Sequence, residues 1–240
     1  MGEVILVASG KGGVGKTSFV ANGGVVLSQM GYKVLLIDMN MGLRNLDIYL
    51  GMESKVVYDI ADVLTGMCRV KQATVKDRKF PNLFMISAAQ YKDKADITPL
   101  HMKVFCEKLK PNYDYILVDA PAGVDNGLTM AAAGADKAVI ITVPENAAVR
   151  DADMLDRILG GLGIDKRTYV VNKVRENLLG AAFLPSLEQI SEVIRSRPSG
   201  FIQYDENLHI AANTGIPVVS KGESYLKENF TNIIKRIICM

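Results

Sequence analysis

The sequence predicts a doubly wound α/β fold, in which a mostly parallel β-sheet carries helices on both faces. Short apolar runs rich in Val, Ile and Leu alternate with longer amphipathic segments along the whole chain. The apolar runs are nearly continuous, which is typical of strands covered on both faces. Strand and helix repeated in this order form the crossover units of a parallel sheet.

Seven segments are predicted to be strands and eight to be helices. The strands are placed at residues 4–8, 33–38, 83–88, 113–119, 137–143, 168–172 and 200–203. The helices are placed at residues 17–30, 56–64, 99–109, 126–133, 147–159, 184–195, 205–214 and 225–238. The least regular stretch, 69–81, is expected to hold a short edge strand. No linker-like composition divides the chain, so residues 1–240 are predicted to form one domain.

The composition excludes several classes of protein. Lys and Arg total 28 against 26 Asp and Glu, so the net charge of +2 matches neither a polybasic nucleic-acid-binding protein nor an acidic tail protein. The three cysteines form no CxxC pair, which argues against a disulfide framework or a zinc site and indicates a reducing compartment. No signal peptide and no apolar run approaching 18 residues is present, so we expect no membrane span.

The strongest motif is Gly-Lys-Gly-Gly-Val-Gly-Lys-Thr at residues 10–17, which matches G-x-x-x-x-G-K-[ST]. It lies between the first predicted strand and the first predicted helix, where backbone N–H groups and the helix N-terminus bind phosphates. Lys16 is predicted to reach the β- and γ-phosphates, and the Thr17 hydroxyl to bind Mg²⁺. The alternative, a glycine-rich turn without a ligand, fits this position poorly. The predicted nucleotide contacts here are Gly10, Lys11, Gly12, Gly13, Val14, Gly15, Lys16, Thr17 and Ser18.

Two apolar strands end in an aspartate, Asp38 and Asp119. In a parallel sheet, the carboxyl ends of the strands lie on the ligand-binding edge. We therefore predict that these two carboxylates and Thr17 form the Mg²⁺ site. The alternative is that each aspartate only caps the turn that follows it.

Residues 38–47, Asp-Met-Asn-Met-Gly-Leu-Arg-Asn-Leu-Asp, resemble the D-x-D-x-G-L-R-N-L-D segment of MinD-like ATPases of the MinD/ParA family. The second lysine of the phosphate loop, Lys11, resembles the family's deviant Walker A motif. The likeness continues at 57–59, 119–123, 144–145 and 149–153 and covers about residues 2–238. It implies a P-loop NTPase fold and an ATP-hydrolysing dimerisation switch that positions the division site, with ATP and Mg²⁺ as cofactors.

The resemblance also implies residue roles. Lys11 would reach across an ATP-dependent homodimer to the partner's phosphates, with Glu145 near the partner's nucleotide. Asn172, after the sixth predicted strand, would read the adenine, and Asp205 belongs to the adenine-side loop. Without the resemblance, Lys11 could be a solvated loop lysine and Asn172 a turn residue.

The chain departs from the family pattern at two positions. Asn40 stands where the family usually has a second Asp, which is associated with the attacking water. Asn keeps the shape of that side chain without its charge, so we predict slow hydrolysis with Asn40 in the catalytic set beside Lys11 and Lys16. Gln203 stands where related chains usually carry Pro. His209 is expected to be structural, because no second ligand accompanies it.

The last helix has an apolar face that allows two interpretations, a membrane anchor or a helix packed on the domain. The resemblance favours the packed helix, and the few cations on the helix would attract anionic lipid weakly. We therefore predict weak or indirect membrane association and a cytoplasmic protein, at most peripheral at the inner face of the membrane. The residues of this face are Leu226, Phe230, Ile233, Ile234, Ile237 and Ile238.

A protein regulator of division, of the inhibitor or activator type, is the expected partner, and nucleic acid is not. The alternatives are a related ParA-type ATPase for DNA partitioning or flagellar number, a metabolic P-loop enzyme, and a weakly hydrolysing ATP-dependent scaffold. A DNA-partitioning protein would need a basic patch, of which the net charge offers no sign.

Overall fold

The computed structural model describes residues 2–90, 97–175 and 184–240. These residues form an eight-stranded sheet in the order β3-β4-β2-β5-β1-β6-β7-β8. Neighbouring strands run parallel except β3 and β4. The predicted doubly wound, mostly parallel fold is confirmed. The strands are β1 (Glu3–Ser9), β2 (Val34–Asp38), β3 (Val75–Lys76), β4 (Leu83–Ile86), β5 (Tyr115–Ala122), β6 (Lys137–Thr142), β7 (Lys166–Val174) and β8 (Arg197–Gln203).

The α-helices of the described residues lie between and after these strands. They are α1 (Lys16–Gln29), α2 (Leu46–Leu50), α3 (Ile60–Leu64), α4 (Val70–Ala73), α5 (Pro99–Leu109), α6 (Asn126–Ala132), α7 (Asn146–Gly161), α8 (Leu187–Val193), α9 (Glu206–Thr214) and α10 (Tyr225–Ile238). Within this part of the chain, no helix is both long and apolar enough to cross a bilayer.

Two predicted helices are shorter than their apolar patterns suggested. In the segment predicted as a helix at 56–64, the helix begins only at Ile60, the first residue of α3, because Asp59 and Asp62 form a capping box there. In the same way Ser186 caps α8, so the segment predicted from residue 184 begins three residues later. The short helices α2 and α4 were not predicted, while the expected edge strand in 69–81 is present as β3.

The sheet has a hydrophobic core on each face, and alternate residues of one strand enter each core. On β1, Val4 and Leu6 pack into one core and Ile5 and Val7 into the other. Helices α1 and α10 cover the second face, with α1 packed against β2 and β5. This two-sided burial explains the continuous apolar runs in the sequence.

The predicted packing of the last helix is confirmed. Helix α10 lies against α1 and β8, and the Phe230 ring lies 5.9 Å from the ring of Phe19. Its apolar face is therefore committed to the core and is not free to lie on a lipid surface. The buried residues of this face are Leu226, Phe230, Ile233, Ile234 and Ile237.

A buried lysine fastens the end of α10 to the sheet. Lys137, at the start of β6, donates from Nζ to the Ile238 carbonyl at 3.1 Å and to Glu3 Oε2 at 2.9 Å. The carbonyls of a last helical turn have no partner within the helix. Lys137 supplies a hydrogen-bond donor for one of these carbonyls, and the positive charge of the lysine suits the negative end of the helix dipole.

Replacing Lys137 with Met is expected to lower the free energy of unfolding by about 2–3 kcal/mol, because a half-buried carboxylate and a helix-terminal carbonyl lose their donor. Urea unfolding followed by circular dichroism measures the loss. Lys227→Met is the matched control: its 2.8 Å pair with the exposed Glu223 should contribute less than about 1 kcal/mol. Equal effects in the two variants would contradict the anchoring role.

Candidate nucleotide-binding site

The phosphate-loop motif occupies the turn between β1 and α1, as predicted. Helix α1 begins at Lys16, directly after Gly15, whose φ of 102° lies in the left-handed region. A Cβ at Gly15 would also approach the Asn172 amide nitrogen to 2.2 Å. Glycine is therefore required here by both conformation and space.

Three side chains donate hydrogen bonds to carbonyls of this loop. The Ser9 hydroxyl donates to the Lys11 carbonyl, and Asn172 Nδ2 donates to the Val14 carbonyl, both at 2.7 Å. Lys173 Nζ donates to the Gly13 carbonyl, also at 2.7 Å. The loop is therefore braced by β1 on one side and by β7 on the other.

The loop opens into a cleft of about 610 Å³, within the usual range for small-molecule sites. Loop residues form its floor, the segment after β2 forms one wall, and the ends of β7 and β8 with α9 form the other. The lining residues from these three regions include Gly12, Gly13, Gly15, Lys16, Thr17, Ser18, Asn40, Met41, Leu43, Tyr49, Asn172, Lys173, Gln203, Tyr204, Asp205, Leu208 and His209.

The cleft brings together six of the predicted loop contacts and both predicted adenine-side residues. Asn172 lines the cleft, and Asp205 caps α9 by accepting from the Asn207 N–H at 2.7 Å. Four of the predicted nucleotide contacts lie outside the cleft lining: Gly10, Lys11, Val14 and Glu145. At Gly10 a Cβ would approach Asp151 of α7 to 2.6 Å, so this glycine serves close packing.

The two predicted acidic residues lie side by side beneath the cleft. Asp38 and Asp119 are paired in register on β2 and β5, and both are fully buried. Asp119 Oδ2 accepts from the Thr17 hydroxyl at 2.7 Å, while Asp119 Oδ1 makes no hydrogen bond to any described residue. Burial and the nearby Asp38 charge raise the pKa of Asp119 to about 7, against the opposing effects of Thr17, Lys16 and Asn40.

Asp38 uses its oxygens to hold the turn that follows it. Oδ1 accepts from the Asn40 backbone N–H at 2.8 Å and from the Asn40 amide at 2.9 Å. Oδ2 accepts from the N–H groups of Asn45 and Leu46, each at 3.1 Å. Four donors use the acceptor sites of this carboxylate. Asp38 therefore performs the turn-capping role that was the alternative interpretation, and it orders the start of α2.

Asn40 joins the two carboxylates. Its Nδ2 donates to Asp38 Oδ1 and, at 3.1 Å, to Asp119 Oδ2. Two acceptors of this kind fix the orientation of the amide, because only the nitrogen can donate. An aspartate at position 40 could make neither bond. The departure from the family pattern thus has a structural role in addition to the predicted effect on hydrolysis.

Lys16 is a buried cation next to this acidic pair. Its burial lowers its pKa, while the charges of Asp119 and Asp38 act in the opposite direction. The side chain lines the cleft at the loop floor. A cation in this low-dielectric position attracts an anionic ligand more strongly than a solvated lysine would.

Lys11 lies outside the lining of its own cleft. Its Nζ pairs with Glu145 Oε2 at 2.6 Å, and both side chains are about half exposed, at 46% and 54%. Sequence reasoning gave each residue a role at a partner subunit's nucleotide but did not foresee that they would pair with each other.

Several cleft residues were not predicted from the sequence, among them two tyrosines, a lysine and a histidine. Tyr49 lines the cleft, and burial, with Asp119 nearby, raises its pKa. Tyr204 stacks with Arg175, whose guanidinium lies 4.2 Å from the ring centre. Lys173 and the exposed His209 also line the cleft, although His209 was expected to be only structural. None of these residues lies in a sequence motif. The departure from the family pattern at Gln203 indicated only that the region next to Tyr204 could differ.

The residues present fit a Mg²⁺ ion bound together with phosphates. Asp119 Oδ1 is a buried oxygen with no donor among the described residues, and the Thr17 hydroxyl is beside the same carboxylate. The described residues contain no group of three or more His, Cys, Asp or Glu that could hold a metal by itself. Mg²⁺ commonly takes one or two protein oxygens and completes its shell with phosphates and water.

The chain is similar to known nucleotide-binding and cell-division proteins. Residues 5–218 match the model of the CobQ/CobB/MinD/ParA nucleotide binding domain. The septum site-determining protein MinD of Bacillus subtilis is 39% identical over 243 residues, which cover 99% of this chain and 90% of that protein.

Two solved structures are also similar. MinD in the MinC:MinD complex of Aquifex aeolicus is 36% identical with a TM-score of 0.91, covering 99% of this chain and 96% of that chain. MinD of Pyrococcus horikoshii, complexed with Mg-ADP, is 26% identical with a TM-score of 0.88, with coverages of 99% and 96%. With its phosphate loop and its acidic strand ends in the arrangement described, this chain belongs to the MinD family of the CobQ/CobB/MinD/ParA nucleotide-binding proteins.

Proposed function

We propose that this chain is an ATP-driven switch that forms a homodimer when ATP is bound and thereby helps to place the division site. ATP binding and hydrolysis with Mg²⁺ agree with its membership of the MinD family and with the Mg-ADP bound by a relative. The ATP-dependent dimer is the further step of the proposal. The observation that carries it is the position of Lys11, a phosphate-loop lysine that lies outside its own cleft.

The Lys11–Glu145 pair suits a switch because little free energy is needed to break it. Both side chains are about half exposed, and an exposed pair of this kind contributes about 0–1 kcal/mol. A partner's phosphates could therefore compete successfully for Lys11. In the proposed dimer, the lysine leaves Glu145 and places its charge where the transferring phosphoryl group carries negative charge.

Within one cleft, we propose that the loop amides and Lys16 bind the triphosphate, and that Thr17 and Asp119 hold Mg²⁺. The ion would neutralise charge on the β- and γ-phosphates. Asp38 stabilises the Mg²⁺ site indirectly, because it fixes the turn that carries Asn40. Asn172 can accept from the adenine amino group through Oδ1, because its Nδ2 is committed to the Val14 carbonyl.

The proposed partner is a division regulator, since MinC forms a complex with MinD of Aquifex aeolicus. Membrane association is proposed to be weak or indirect, because the apolar face of α10 is buried. A cytoplasmic location is also proposed, and the free thiols of Cys106 and Cys239 support it.

A second candidate is an ATP-dependent scaffold that hydrolyses slowly. Asn40 favours this reading, because the amide holds the two carboxylates together and brings no charge to the attacking water. The two candidates share the nucleotide site and the dimer and differ in the lifetime of the ATP-bound state.

Replacing Lys11 with Ala tests the dimer. The variant is expected to bind ATP at close to wild-type affinity but to stay monomeric, because its charge acts across the interface. Size-exclusion chromatography with light scattering, under saturating Mg-ATP, measures the mass. Lys71 is an exposed lysine of α4, and the control variant Lys71→Ala should dimerise like the wild type. A dimer of unchanged stability in Lys11→Ala would show that the lysine has no role across the interface.

A further inference from the structure

Lys173 adopts a backbone conformation that is unusual for its residue type. Its φ of 58° lies in the left-handed region, where a side chain with a Cβ is disfavoured. It interrupts the end of β7, and the pairing of β7 with β8 shifts in register between Val171 and Val174. Such an outlier persists only where surrounding contacts hold it, and it often marks a functional site.

The contact that accompanies this conformation is with the phosphate loop. Lys173 Nζ donates to the Gly13 carbonyl, and the preceding residue, Asn172, donates to the Val14 carbonyl, each at 2.7 Å. Consecutive residues of β7 therefore hold consecutive carbonyls of the loop. If residue 173 continued as a regular strand, the two side chains would point to opposite faces of the sheet.

Ser9 and Asn172 hold neighbouring carbonyls of the loop, but the space around Gly13 itself is open. Gly13 is exposed, and a Cβ built on Gly12 or Gly13 would meet no atom within 4 Å. Gly13 itself has a φ of 74°. A glycine with open space around it is free to rotate unless a hydrogen bond fixes its peptide groups.

Fixing a carbonyl also fixes the N–H that follows it. The chain has no cis peptide bond among its described residues, and in a planar trans peptide the C=O and the next N–H point in opposite directions. Because the Gly13 carbonyl accepts from Lys173 Nζ, the Val14 N–H must point away from Lys173. Asn172 acts in the same way on the Gly15 N–H through the Val14 carbonyl.

We infer that Lys173 is a positioning residue that aims the Val14 N–H of the phosphate loop at the bound nucleotide phosphates. This inference rests on the proposed nucleotide function and adds a residue to it. Lys173 acts through the loop backbone, and its strained conformation is what brings its side chain to the same loop as that of Asn172.

The test measures ADP and adenosine binding to the full chain with Mg²⁺ by calorimetry and by ligand-observed NMR. Lys173→Met should weaken ADP binding by about fivefold to tenfold, the effect of losing one hydrogen bond that orients a donor. Adenosine, which lacks phosphates, should bind as it does to the wild type. Lys173→Arg should keep ADP affinity within about twofold of wild type, because it retains a charged donor.

Lys173→Gly separates the strain from the contact. Glycine tolerates the left-handed conformation, so this variant should melt at a higher temperature than Lys173→Met without nucleotide. It should nevertheless lose as much ADP affinity as Lys173→Met. Lys166→Met, at the exposed start of the same strand, is the control and should change neither quantity.

Unchanged ADP affinity in Lys173→Met would overturn the inference, and so would an equal loss of adenosine and ADP affinity, which would indicate a general structural role. A wild-type chain that binds neither ATP nor ADP would contradict the proposed function instead.

Discussion

Replacing Lys16 with Ala is expected to reduce ATP affinity at least a hundredfold, or by about 2.7 kcal/mol or more. Lys16 is the buried cation on the cleft floor, 7% exposed, next to the acidic pair. Without it, the triphosphate would lie near Asp38 and Asp119 without the buried cation that offsets their charge at the cleft floor. Calorimetry with Mg-ATP measures the loss.

Lys71→Ala provides the control for this experiment, because Lys71 is exposed on α4, away from the cleft lining. Its ATP affinity should match that of the wild type. The fold of Lys16→Ala is checked by its circular dichroism spectrum and melting temperature. A folded Lys16→Ala protein that binds ATP at wild-type strength would refute the assignment of residues 10–17 as a phosphate loop.

Replacing Asn40 with Asp is expected to raise ATP turnover by one to two powers of ten, or about 1.4–2.7 kcal/mol of barrier. A carboxylate accepts a hydrogen bond from the attacking water more strongly than an amide oxygen does. The same change removes both donations from Asn40 Nδ2 and adds a third carboxylate beside Asp38 and Asp119. We therefore expect the nucleotide-free variant to melt at a lower temperature than the wild type, and Mg²⁺ with ATP to restore part of that loss.

Asn40→Ala is the matched variant. It removes the same two hydrogen bonds but adds no charge, so it should lose stability without gaining turnover. Phosphate release under saturating Mg-ATP measures the rate, and subunit exchange measures the lifetime of the dimer. If turnover in Asn40→Asp equals that of the wild type, position 40 has no part in hydrolysis in this chain.

The sequence was informative where one local pattern determines the structure. The phosphate loop needs a fixed spacing of glycines, lysine and threonine between a strand and a helix, and this spacing is visible in residues 10–17. Asp38 and Asp119 could be placed at one sheet edge because parallel strands end together there. The continuous apolar runs likewise predicted a sheet covered on both faces.

The features that escaped sequence reasoning depend on contacts between distant segments. The Lys11–Glu145 pair joins residues 134 positions apart, and the bond from Lys173 to Gly13 spans 160. The saturation of Asp38 by N–H groups depends on the turn into α2, a helix too short to show a hydrophobic period. The left-handed conformation of Lys173 has no signal in its residue type, because lysine rarely adopts it.

The proposal that ATP controls the association of this chain is tested most directly by measuring the mass of the wild-type protein by light scattering without nucleotide, with Mg-ADP and with Mg-ATP. We expect the mass of one chain in the first two conditions and of two chains with Mg-ATP, because only the triphosphate offers Lys11 a partner better than Glu145. The same mass in all three conditions would contradict it.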